Sequence, residues 1–213
     1  MKRLLGLYLL IFSWACAQEP SDAAWARVAE LRTRAAEAQN AGEYVEAEKY
    51  HRATLETAGE IPDFPLNERA RLLSNLASAL NLLGRPDEAL KLLSDAEMLL
   101  QTNPSNDPGQ YITLDHNIGR AHALGEDWEE AEIRYSSARD LIDAANAAET
   151  FYGAENDLGF AYVYWNTGRL EQAEASYKLA VAHFHEWLGP THPVVQRMEA
   201  ELAEVQSETR VSN

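Results

Sequence analysis

The chain holds one cysteine in 213 residues, at position 16. Beyond that position no disulfide, cysteine-ligated zinc site or cysteine nucleophile can form, so the fold must rest on packing alone. Positive charge is also scarce: 18 Lys and Arg stand against 34 Asp and Glu, a formal net charge of −16. That disfavours nucleic acid, which needs clustered cations, and electrostatic adhesion to anionic lipid. The one long apolar run, 4–15, is short for a membrane span. Catalytic signatures are missing as well. There is no Gly-x-Ser-x-Gly, phosphate loop or His-Glu-x-x-His, and acids scattered on helix faces are usually solvating. The expectation is a protein that is not an enzyme and takes no cofactor.

What the first residues do contain is the pattern of an export signal. Lys2 and Arg3 precede the apolar run, and Ala15-Cys16-Ala17 follows it. Small residues around Cys16 fit a cut after Ala17, giving a signal segment 1–17 and a soluble periplasmic or secreted chain. A cut before Cys16 resembles a bacterial lipoprotein and would make Cys16 the point of lipidation. Lipoproteins usually carry an aliphatic residue three before the cysteine, where Ser13 stands, so the soluble cut fits better. Membrane attachment is expected only if Cys16 is lipidated. Either cut makes the mature chain two charges more negative.

The remainder is periodic. "GEYVEAE", "GRPDEAL", "EDWEEAE" and "GRLEQAE" place Ala47, Ala89, Ala131 and Ala173 at a constant interval of 42. Each stretch reads as a helix–turn–helix corner. Gly42, Gly84 and Gly168 suit the left-handed residue that closes a helix, with Gly125 expected in that role one position early in the third copy. Pro86 suits the first position of a second helix. Glu46, Asp87, Glu88, Glu129, Glu130 and Glu171 meet the positive end of a helix dipole. The alanines allow two helices to approach closely.

Helical stripes flank the corners. Leu72, Leu73, Leu76, Leu80 and Leu83 form one; Leu90, Leu93, Glu97 and Leu100 another, beside Leu92, Ala96 and Leu99; Leu158, Ala161, Tyr162 and Trp165 a third. Proline-rich breakers fall at 61–65, 103–108 and 188–193, while the loop near 146–153 has none. Val194, Met198, Leu202 and Val205 give a last helix without a partner, which would cover the open end of a stack. The expected fold is an all-α solenoid of about four antiparallel helix pairs over 23–206. A linker at 18–22 precedes it and a frayed tail at 207–213 follows.

The corner, Gly then an aromatic two later then Glu-Ala, resembles a tetratricopeptide repeat. Tyr44 and Trp128 supply the aromatic, and Pro86 and Leu170 depart from it. A 42-residue period with "LGPTHPVV" before a helix is similar to the kinesin-light-chain-like branch. HEAT and armadillo arrays share a period near this one but lack that corner. The resemblance implies a right-handed superhelix whose first helices line a concave groove that holds a peptide or partner protein.

Groove candidates are polar residues of the first helices: Ser74, Asn75, Ser78 and Asn81 in repeat two, His116, Asn117 and Arg120 in repeat three, and Asn156 in repeat four. Asn75 and Asn117 are one period apart. An exposed amide ladder can pair with an extended backbone, and an arginine can hold a carboxylate. The next step lands on Gly159, where the ladder breaks. Tyr162 and Tyr164 are about 200° apart on one helix, so one faces away from the core; Tyr162 is the candidate anchor. His183, His185 and His192 lack the spacing of a metal site, and no metal is expected.

Overall fold

The computed structural model describes residues 20–212. The expected signal segment and Cys16 lie outside them. Among the described residues there are nine helices and no strand: α1 Pro20–Asn40, α2 Tyr44–Gly59, α3 Leu66–Leu82, α4 Pro86–Thr102, α5 Pro108–Leu124, α6 Trp128–Ala144, α7 Phe151–Asn166, α8 Leu170–Leu188 and α9 Pro193–Ser212. The fold is an all-α helical repeat. Consecutive helices pair as α1–α2, α3–α4, α5–α6 and α7–α8, and α9 packs on α8.

The four alanines at the 42-residue interval are completely buried, as the close approach of paired helices requires. Each corner closes in the same way: the amide of Glu43, Arg85, Asp127 or Arg169 bonds the carbonyl five residues earlier, at 2.8–2.9 Å. This bond needs a left-handed residue just before it. Gly42, Gly84 and Gly168 take that conformation, with φ of 78°, 70° and 76°. In the third corner the expectation for Gly125 is corrected. Gly125 has φ −86°, and Glu126 is left-handed at φ 60°. The period is therefore unbroken at 126. The loop after α6 needs no proline because Asn146 takes a left-handed turn, with Ala147 bonding the Ile142 carbonyl at 2.9 Å.

Two boundaries differ from expectation. Helix α1 begins at Pro20, inside the expected linker. Helix α9 continues to Ser212 instead of fraying after 206. Its last turns are tied down: the Trp165 indole donates to Glu208 at 3.1 Å, and Gln206 donates to Glu174 at 3.1 Å.

The Leu72, Leu76 and Leu80 stripe is buried with Leu93, Ala96 and Leu100. Glu97 shares that stripe without entering the core, because Arg134 of the next repeat meets it at 2.9 Å. Two further bridges of the same spacing join neighbouring repeats, Arg85–Glu48 at 2.6 Å and Arg169–Glu132 at 2.8 Å. In all three the partners are 37 residues apart.

Candidate first-helix face

First helices of adjacent repeats touch directly: α3 meets α5, and α5 meets α7. The second helices make no comparable contact, so the first helices form the inner row. Residues seven apart are two turns apart and share a face. Two rows result, each at 42-residue steps: Arg71, Thr113 and Glu155, and Ser78, Arg120 and Tyr162. All six are at least partly exposed, and Tyr162 is 42% exposed.

Of the sequence candidates, Ser78, Arg120 and Tyr162 thus stand together on one accessible face. Asn75 is partly exposed beside them. Ser74, Asn81, Asn117 and Asn156 correct the expectation of exposure: all four are buried. The reason is local. The Asn117 amide donates to the Ser74 carbonyl and hydroxyl, both at 3.2 Å, and Asn81 donates to the Asn117 carbonyl at 2.9 Å. The ladder therefore ties α3 to α5 and does not face a ligand. Asn156 occupies the repeat position of Leu72, Leu114 and Met198, completely buried, and neither amide atom has a hydrogen-bond partner among the described residues.

The break at Gly159 has a packing cause. Tyr135, 3% exposed, enters between α5 and α7 where Gly119 and Gly159 leave room. One repeat earlier the same three positions hold Leu93, Ala77 and Asn117. The larger ring requires the two smaller neighbours. His116 touches this group, its ring centroid 5.5 Å from that of Tyr135 and its Nε2 3.5 Å from Glu155. Burial holds the His116 pKa below its ordinary value, against the opposing pull of Glu155. Burial likewise raises the Tyr135 phenol pKa.

Arg120 has no ion-pair partner among the described residues. Arg71 is engaged: Glu68 meets it at 2.9 Å, and Gln110, with its amide oxygen turned toward the guanidinium, accepts from Nε and Nη2 at 2.8 Å. Between α3 and α5 lies a cavity of about 160 Å³. It is lined by Arg71, Asn75, Thr113 and Tyr152, by the apolar Ala70, Ala96, Leu100 and Leu114, and by the polar Ser74, Asp107 and Gln110. Composition gave no hint of Arg71, Thr113, Tyr152 or Glu155. Stepping seven residues back from Ser78, Arg120 and Tyr162 would have found three of them.

The remaining aromatics mostly pack. Tyr164 stacks on Phe160 and under Arg169, so Tyr162 is the one that turns outward. His183 stacks on Trp187, His185 is exposed, and the His192 ring accepts from the Val194 amide at 3.3 Å. No group of three potential metal ligands converges among the described residues. None of the described helices is long and apolar enough to cross a membrane.

Two stretches match family models described as tetratricopeptide repeat, residues 158–182 and residues 69–96. Each spans one corner, and together with the fold they support a tetratricopeptide-repeat protein. No curated protein matches the chain. Among solved structures, the chain is similar to the crystal structure of BtubC (BKLC) from P. vanneervenii. The TM-score is 0.60 at 18% identity, over 87% of this chain and 81% of that one. At that identity the likeness concerns the fold.

Proposed function

We propose that this is a non-catalytic interaction module that holds an extended segment of a partner protein along the concave side formed by its first helices. Tetratricopeptide repeats generally mediate protein–protein contact and typically act as scaffolds. The observation that carries the reading is the row Ser78, Arg120 and Tyr162. One donor–acceptor, one cation unpaired among the described residues and one exposed aromatic stand at the repeat interval, and among the described residues only Ser78 of the three takes part in a side-chain hydrogen bond between helices, accepting from Gln39 at 3.5 Å. Such an aromatic and arginine pairing is typical of binding anchors. The module works outside the cytoplasm, released by a cut after Ala17; a lipid on Cys16 would instead place it on a membrane. Intact-mass measurement of the mature protein separates these two forms.

The test is capture of crosslinked partners from the native cell, comparing wild type with a Ser78→Ala, Arg120→Ala, Tyr162→Ala variant. The variant is expected to fold normally by circular dichroism and to lose its partners. The same partners at the same yield would overturn the proposal.

A further inference from the structure

Independently of the groove reading, we propose that the edge of the array carrying the loops between repeats contacts a membrane, resting its exposed aromatic side chains in the interface of a zwitterionic bilayer.

Antiparallel pairing puts the starts of α1, α3, α5, α7 and α9 and the ends of α2, α4, α6 and α8 on one edge. The corners occupy the other edge, about 25 Å away for a 17-residue helix at 1.5 Å per residue. Exposed aromatics divide unevenly between the two. Of five among the described residues, Trp25, Phe151, Tyr152 and Trp187 lie on the loop edge, and Tyr162 alone lies toward the corners. Exposed Leu66 and Leu188 join the four. Neighbouring rings hold them in place: Trp25 stacks on Phe64 at 5.0 Å, and Phe151 lies 6.4 Å from Trp187. Trp and Tyr, each an apolar ring with one polar atom, are the side chains that settle at headgroup level.

The amino-terminal residues point to a bilayer as the occupant. The stretch before the described residues leaves from this same edge, since α1 begins there at Pro20. It holds the apolar run 4–15 and Cys16. Four residue steps separate Cys16 from Pro20, at most about 14 Å of chain. Attachment through the apolar run before the cut, or through a lipid on Cys16, therefore brings the loop edge to the membrane and holds the corners away. A cut after Ala17 leaves the edge intact, because all four rings belong to described helices. The net charge of −16, with exposed Glu149 and Glu186 in the flanking loop and last turn, opposes attraction to anionic headgroups. Apolar and interfacial side chains must then make the contact. The first-helix face runs along the sides of the helices and stays free when their ends meet a bilayer.

The test is quenching of tryptophan fluorescence by vesicles of bromine-labelled phosphatidylcholine, using the mature protein purified from the native cell. Trp25 and Trp187 report the loop edge, and Trp128 and Trp165, at helix ends on the corner side, report the other. The variant Trp128→Phe with Trp165→Phe is expected to lose at least a third of its emission. Adding either Trp25→Phe or Trp187→Phe should leave the remaining ring quenched. Trp25→Phe with Trp187→Phe should show no quenching. Phe151→Ser with Leu188→Ser should reduce the quenching of Trp187 at least threefold, with circular dichroism confirming that every variant folds. No quenching, equal quenching of both pairs, or stronger quenching on vesicles containing phosphatidylglycerol would overturn the proposal. Quenching of only one loop-edge ring would do so too; for Trp25 that is what a tether at Cys16 gives without contact along the edge. Loss of a captured protein partner by Phe151→Ser, with no quenching by lipid, would make the edge a protein interface and equally overturn it.

Discussion

The ring of Tyr135 fills the space beside Gly159: a Cβ placed on that glycine would lie 2.6 Å from its Cε1 and Cζ. Tyr135 is buried on all sides, so it cannot swing away. Gly159→Asn, which restores the residue of the two preceding repeats, should therefore destabilise the fold by about 1–3 kcal/mol through overpacking. Combining it with Tyr135→Leu and Gly119→Ala recreates the Leu93, Ala77 and Asn117 arrangement and should recover part of that loss. Urea unfolding measures both. A triple variant no more stable than the summed single changes would show that the three positions are not coupled as described.

Asn156 lies completely buried where other repeats have leucine or methionine, and its amide makes no bond among the described residues. Leaving such a group unpaired costs about 1–3 kcal/mol. Asn156→Leu should raise the urea midpoint accordingly. A lower midpoint would mean that the amide contributes to folding.

His51 is 6% exposed, and burial pushes its pKa down to about 4. The unfolded chain binds a proton there near pH 6.5, whereas the folded chain does not. Stability from this site is complete above pH 6.5 and is lost as pH falls toward 4, by roughly 2–3 kcal/mol. His51→Leu, the residue of the next repeat at Leu93, should flatten that part of the curve. An unchanged slope between pH 7 and pH 4.5 would contradict the assignment.

The Arg169–Glu132 bridge joins two repeats through paired 2.8 Å bonds, with both side chains 34% exposed. Water competes for such a pair, so a double-mutant cycle should give a coupling under about 1 kcal/mol. A coupling well above that would make the bridges, and not the buried alanines and leucines, the main tie between repeats.

The 42-residue interval was readable because corner geometry and close packing each demand a particular residue type: a left-handed residue at 42, 84 and 168, and a small one at 47, 89, 131 and 173. In the third corner glycine points to position 125, one residue early, because a left-handed turn is not confined to glycine and Glu126 makes it. The burial of the asparagines is hidden from sequence for a different reason. Polarity signals exposure only when no internal partner exists, and Asn117 finds its partners across α3, in residues far away in sequence. The row through Arg71, Thr113 and Glu155 was present in the numbering, but nothing in composition sets apart a face made of one arginine, one threonine and one glutamate.

The first-helix face is proposed to hold a partner. A photo-crosslinking amino acid placed singly at Ser78, Tyr162 or the exposed second-helix position Ile133 tests it most directly in the native cell. A shared crosslinked partner is expected from Ser78 and Tyr162, and none from Ile133. Adducts from Ile133 alone, or the same adducts from all three positions, would contradict it.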